Sequence, residues 1–308
     1  MSFSFKIKNN KLLIFSMLIL SSFLFFPNQA KAIFTCDSGT LNDTCTISTA
    51  HNLESGDTLL SGTGDLIITG TGSIVGYAQQ ATEISVANLE IQAGGIINFN
   101  GKGLTGGARG EAGLDGTDGN TSGVGGGGHG IVEEDDGWGA NGGGGGGGGH
   151  GGIGGQGRDA GAGVGASGIE HDQANIHQPT ALGSGGGGGA GSTTPAVGGA
   201  GGDGGGAIKL TISETFNNDG AVTANGEHGS TPTSSSNAGG GGGGSGGSIW
   251  ISAGSITGSG TIGAIGGSGL DVNMINRGGR WIRRKDCSLW RRSRFNCDCN
   301  RRSRLRSR

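Results

Sequence analysis

The chain has 308 residues, of which 76 are glycine and only 4 are proline. A quarter glycine, against a usual share of about 7%, leaves too few large side chains for a three-layer enzyme core, and the scarcity of proline excludes collagen. The formal net charge of −3 hides three blocks: +4 over residues 1–32, −18 over 33–276 and +11 over 277–308. The acidic middle block repels nucleic acid and anionic membranes, so neither is an expected partner.

Residues 1–32 read as a signal peptide. Lys6, Lys8 and Lys11 precede the apolar run Leu12 to Phe26, Pro27 breaks it, and Ala30-Lys31-Ala32 supplies an A-x-A cleavage site. The apolar run is short for a membrane span. Cleavage after Ala32 places the mature chain outside the cytoplasm, secreted or at the cell surface, with no membrane span left in it. In an oxidising compartment, Cys36 and Cys45 are expected to form a local disulfide.

Residues 33–100 read as a strand-rich region. LLSGTGDLIITGTGSIVG and ISVANLEIQAGGIINFNG alternate small or polar residues with Ile, Leu and Val, and turn residues punctuate them. The fold class expected is all-β, a short-strand β-solenoid or sandwich with polyglycine-II-like segments and essentially no helix after the signal peptide.

Residues 101–276 form a glycine-rich repeat region. Ile208-Lys209-Leu210-Thr211-Ile212 recurs as Ile249-Trp250-Ile251-Ser252-Ala253, and the second strands begin at Gly220 and Gly260. An earlier copy reads as Leu89-Glu90-Ile91 followed by GIINFNGKG from Gly95. Each unit is a strand, a bend and a second strand, and a glycine run precedes the two later copies. Repeats of this size are expected to stack.

The glycine runs admit two readings. A flexible linker is the simpler one, because glycine loses the most entropy on ordering. A bundle of polyglycine helices of the polyproline-II type is the other: three residues per turn, no internal hydrogen bonds, and neighbours that pair only where no side chain intervenes. Strands placed directly after glycine runs favour the bundle. Residues 169–182 lack glycine and read as an exposed excursion loop.

GGGGGGSGGSIWISAGSITGSGTIGAIGGSG resembles the repeats of exported bacterial glycine-rich surface proteins. The glycine runs also resemble the polyglycine-II bundles of phage tail-tip adhesins and of receptor glycine-rich domains. The resemblance covers about residues 84–276. It implies extracellular structural or adhesive work, with surface glycans or cell-envelope components as partners and with self-association, and it lends no catalytic residue.

Residues 277–308 carry 12 arginines and read as a basic tail that is out of frame rather than a domain. Trp281 and Trp290 are encoded by TGG, and one base later each becomes a glycine codon. With plausible codons, Arg280 onward becomes GGSGGKIAVYGGDPDSIAIVTEGPGYG, a glycine run followed by strands. The true protein then continues for at least one more repeat, and the chain as written ends on an uncapped solenoid edge that invites aggregation.

Candidate chemistry is sparse, and no catalytic, cofactor-binding or metal residue is assigned. His129 and His150 sit in glycine loops that cannot preorganise a base. Glu170, His171, Asp172 and His177 lack a complete metal spacing. Glu133, Glu134, Asp135 and Asp136 beside Trp138 read as a solvated run, with a weak cation site or a carbohydrate contact as the sharper reading. Asp115, Asp118 and Asn120 lack the closing glutamate of a calcium loop. The expected function is a secreted or cell-surface structural and adhesive protein without catalytic activity or cofactor. The alternatives are a carbohydrate-active β-helix enzyme, which needs a cleft with paired carboxylates, and an ice- or surface-binding protein. The latter needs threonine rows, and only Thr69-Gly70-Thr71 comes close.

Overall fold

The computed structural model describes residues 34–111, 116–120, 127, 131, 142–157, 165–170, 177–192, 196–233 and 238–269. The signal segment 1–32, Asp115, His129, Glu133 to Asp136, Trp138, His171, Asp172 and the basic tail 277–308 lie outside them.

The described residues form an all-β solenoid without helix. Its coils wind through two parallel sheets. The first coil holds β1 (Thr44–Ile47) and β2 (Ala50–Asn52); the second holds β3 (Leu59–Ser61), β4 (Asp65–Ile68) and β5 (Ser73–Val75). The third holds β6 (Ala81–Val86), β7 (Asn88–Ile91) and β8 (Ile96–Asn98). The fourth holds β9 (Ala207–Asn218) and β10 (Ala221–Thr223), and the fifth β11 (Ser248–Thr257) and β12 (Thr261–Gly263). One sheet runs β1-β4-β7-β9-β6-β3 with β11 on β9, and the other runs β12-β10-β8-β5-β2. Every pairing of named strands is parallel.

Period-two alternation places the core. Leu66 and Ile68, Ile84 and Val86, Leu89 and Ile91, and Leu210 and Ile212 point inward from the first sheet; Ile74, Ile97 and Val222 meet them from the second. Stacked coils bring like residues together, as in the fully buried column Cys45–Leu66–Leu89–Phe216. Burial of such columns is the main drive for stacking. At coil corners the chain reverses tightly: Gly94 and Gly258 both have φ of 94°, which favours glycine.

The repeat read from sequence is a physical coil. β11 pairs β9 with Ser248 opposite Ala207 and, past a bulge between Ala253 and Ser255, with Ser255 opposite Thr215. The extra residue in β9 turns an offset of 41 into one of 40. Side chains repeat the offset: Ser255 donates to Thr215, Thr257 to Asn217 and Ser259 to Asp219, each 40 residues apart. One equivalence needs correction. Leu89 pairs with Phe216, while the partner of Leu210 is Ile84. The earlier copy of Ile208–Ile212 is therefore in β6, and β9 spans both β6 and β7.

The glycine runs form an ordered lattice. Segment 183–190 is its centre, and its residues address different neighbours in turn. Gly183, Gly186 and Gly189 donate their N–H to Gly205, Gly202 and Gly199, and accept from Leu104, Gly107 and Gly110. Gly187 and Ala190 donate to Gly146 and Gly143; Ser184, Gly187 and Ala190 accept from Ser245, Gly242 and Gly239. Gly185 and Gly188 donate to Asn120 and Thr117. Every third residue faces the same neighbour, as three residues per turn require. Neighbours run in both directions: 199, 202 and 205 donate in parallel to 239, 242 and 245, while 183–189 run against 199–205. Polyglycine tolerates either sense because no side chain distinguishes them.

The lattice and the solenoid share one register. Gly199 meets Gly239 at the offset of 40 that joins Thr215 to Ser255. Each later coil is thus part parallel β and part polyglycine II, and the run that closes one coil feeds the first strand of the next. The sequence expectation of strands phased with glycine runs is met, and the solenoid is the form taken rather than the sandwich.

Candidate surface for ligand contact

The first coil is closed by a clamp. Cys36 and Cys45 form the expected disulfide, with S–S 1.98 Å and Cα–Cα 5.4 Å. A cross-link over so short a loop stabilises by about 2–3 kcal/mol in the chain-entropy account. It holds Ser38 against Thr46 in an antiparallel bridge on the outer side of β1. The neighbouring Asp37 carboxylate accepts from the Ser48 N–H at 2.6 Å, the Thr49 N–H at 2.8 Å and both hydroxyls at about 3.0 Å. His51 Nε2 lies 2.9 Å from it, and Phe34 packs on the His51 ring at 5.7 Å between centroids.

Serine, histidine and aspartate meet here without forming a hydrolytic relay. Ser48 Oγ donates to Asp37 rather than to His51, so the imidazole is not placed to activate it. The arrangement is a cap. Hydrogen bonds from Ser48 and then from His51 hold the Asp37 carboxyl far below the usual carboxylate range, against a smaller opposing effect of burial. A depressed folded pKa contributes stability that is full above the unfolded value near 4 and is lost as pH falls below it. Asp37→Asn is therefore expected to lower the melting temperature at pH 6 and to flatten its fall below pH 4. A wild-type melting curve of unchanged slope below pH 4 would contradict the clamp.

A second cluster lies on the outward face of the first sheet. Register places Leu59, Glu83, Lys209 and Trp250 side by side on four adjacent strands. Lys209 Nζ is 3.0 Å from Glu83 Oε1 and 4.6 Å from the centre of the Trp250 ring. Thr211 donates to Glu83 Oε1 at 2.7 Å. Burial pushes the Glu83 carboxyl up, but the Thr211 hydroxyl and the Lys209 amine together hold it below its ordinary value, so Glu83 is ionised at neutral pH. Beside this column a groove of about 210 Å³ opens between the strands and the half-buried Pro179 with the exposed Thr180. Thr58, Thr82, Glu83 and Lys209 supply its polar walls. It is smaller than a drug-sized pocket of 300–1,000 Å³, and suits a single ring or a short side group.

The residues singled out from sequence fall elsewhere. His150 is buried where the lattice meets β11, with Nδ1 2.9 Å from the Gly246 carbonyl and Nε2 3.5 Å from Ser248 Oγ. Glu170 and His177 are exposed at the two described ends of the excursion loop. Asp118 is exposed, and Asn120 bonds Thr105 through its side chain. Thr71 donates to the Ser48 carbonyl at 2.9 Å, within a coil corner rather than a threonine row. Among the described residues no three metal-ligating side chains gather, and no helix is long and apolar enough to cross a membrane.

Sequence reasoning missed the Glu83–Lys209–Trp250 column and the Asp37 clamp. The 41-residue offset already sets Trp250 opposite Lys209, and that was the available signal. Glu83 lies 128 residues before Thr211 and had none. Compared with known proteins, the chain matches no family model, no curated protein and no solved structure.

Proposed function

We propose that the chain is an exported structural and adhesive surface protein that contacts glycans through the Leu59–Glu83–Lys209–Trp250 column and its groove. The observation that carries this reading is a half-buried tryptophan on an outward sheet face, steadied by a cation and set beside ionised and hydroxyl groups. Such a surface offers an apolar plate for a sugar ring and hydrogen-bonding groups for its hydroxyls. The four side chains stand on hydrogen-bonded strands of one parallel sheet, which limits the ordering cost of binding. The Cys36–Cys45 disulfide supports an oxidising compartment.

The test is a glycan array followed by titration of the best ligand. Trp250→Ala is expected to weaken binding about thirtyfold, the scale of an aromatic hot spot, with the melting curve little changed. Binding that is absent in the wild-type chain, or unaltered in Trp250→Ala, contradicts the reading. Release of reducing ends from polysaccharide would instead favour the β-helix enzyme, and thermal hysteresis the ice-binding protein.

A further inference from the structure

The outward face of the first sheet carries two rows that run across the strands, along the solenoid axis. Leu59, Glu83, Lys209 and Trp250 form the first. Two residues further along each strand, Ser61, Ser85, Thr211 and Ser252 stand in the same registers and form the second. Period two puts both rows on one face, because Leu60, Ile84 and Leu210 between them are buried in the core. Every member of the second row carries a hydroxyl. Thr211 donates to Glu83, while Ser61, Ser85 and Ser252 have no side-chain partner among the described residues.

A wall bounds the other side of the first row. Ala81, Ala207 and Ser248 stand in register there, and Ser248 Oγ donates to the Ala181 carbonyl at 2.7 Å. That bond ties down the segment whose Pro179 and Thr180 line the groove. Both rows cross the second, third, fourth and fifth coils, so the seat is elongated along the axis. Four strands at a spacing of 4.7–4.9 Å make it about 14 Å long. Its ends are apolar, with Leu59 54% exposed and Trp250 half-buried, and the Glu83–Lys209 ion pair lies between them.

Length, spacing and charge select the occupant. A peptide strand binds through ladder groups, and on a sheet face those are already spent between the strands. A polyanion needs free positive charge. Lys209 is the one basic residue on β3, β6, β9 and β11, and it lies 3.0 Å from Glu83. The surrounding charge of −18 over residues 33–276 repels polyanions further. A neutral chain of flat rings edged with hydroxyls meets neither objection. Its ring faces suit Trp250 and Leu59, and its equatorial hydroxyls suit the serines and Glu83 Oε2, which no described residue bonds. An extended pyranose chain advances by about one strand spacing per ring, so each coil can serve one sugar.

Resting on the reading that this column contacts glycans, we infer that the two rows form one seat for a linear, neutral polysaccharide, which lies along the solenoid axis and sets one sugar on each of four successive coils. Trp250 stacks on one end of the bound stretch and Leu59 on the other. The hydroxyl row bonds the ring edges between them, and Glu83 turns acidic sugars away.

The experiment is titration calorimetry of the full chain with β-1,4-linked glucose oligomers of increasing length, set beside β-1,4-linked glucuronate oligomers of the same lengths. Affinity for the glucose series is expected to rise about tenfold from the dimer to the tetramer and then to level off, with the glucuronate tetramer about tenfold weaker. Ser61→Ala, at the end away from Trp250, is expected to weaken the glucose tetramer about fivefold and to leave the dimer unchanged. Affinity that does not grow with length, equal effects of Ser61→Ala on dimer and tetramer, or a preference for glucuronate overturns the inference and leaves the glycan contact standing. If neither series binds while the glycan array yields other ligands that Trp250→Ala loses, the inference alone fails. If the array yields none, the glycan reading fails and the inference with it.

Discussion

Gly186→Ala is expected to destabilise the protein by at least about 3 kcal/mol, and Gly151→Ala by almost nothing. The Gly186 N–H donates to Gly202, its carbonyl accepts from Gly107, and an added Cβ would overlap the Gly242 carbonyl. Three neighbouring backbones therefore fix it. One methyl group must push a strand of the lattice aside and leave two or more buried backbone groups unpaired, at about 1–3 kcal/mol each. The same crowding makes a single glycine replacement damaging in collagen. Gly151 is an exposed glycine with nothing within 4 Å of a Cβ, and alanine there reduces the freedom of the unfolded chain. Urea melts of the two variants separate the cases. Equal, small effects would mean that the glycine runs are loose.

Phe216→Ala is expected to cost about 3–5 kcal/mol, against about 1 kcal/mol for Ile262→Ala. Phe216 is fully buried between Leu89 of one coil and Ile256 of the next. Removing its ring opens a cavity that flanking β strands cannot close without breaking register. Ile262 is partly buried in the fifth coil, where solvent already reaches one side. Equal losses at the two positions would mean that the fifth coil is as well covered as the fourth.

Much of this architecture was legible in the chain. Alternation in residues 33–100 gave short strands because only a half-buried strand needs period two. The recurrence of Ile208–Ile212 as Ile249–Ala253 gave a coil of the right length, including the change from 41 to 40 that a bulge in β9 explains. The glycine runs announced a lattice through their phase with the strands.

Other features were hidden for physical reasons. Leu89-Glu90-Ile91 was matched to the wrong half of β9 because a period-two pattern looks the same after any even shift. Only the core partners, Leu89 with Phe216 and Ile84 with Leu210, settle it. The Glu83–Lys209 ion pair joins the third coil to the fourth across the whole glycine excursion, and no local pattern marks it. Asp37 looks like any loop aspartate until the disulfide turns it toward Ser48 and Thr49.

The central claim is that glycine here builds a hydrogen-bonded lattice in register with a parallel solenoid. Hydrogen exchange of individual glycine amides tests it most directly. The N–H groups of Gly183, Gly186, Gly189, Gly199, Gly202, Gly205 and Gly242 all donate within the lattice and are expected to exchange as slowly as the core strand amides of β9. If those seven amides exchange at the rate of an unstructured chain while β9 stays protected, the lattice does not exist and the runs are linkers.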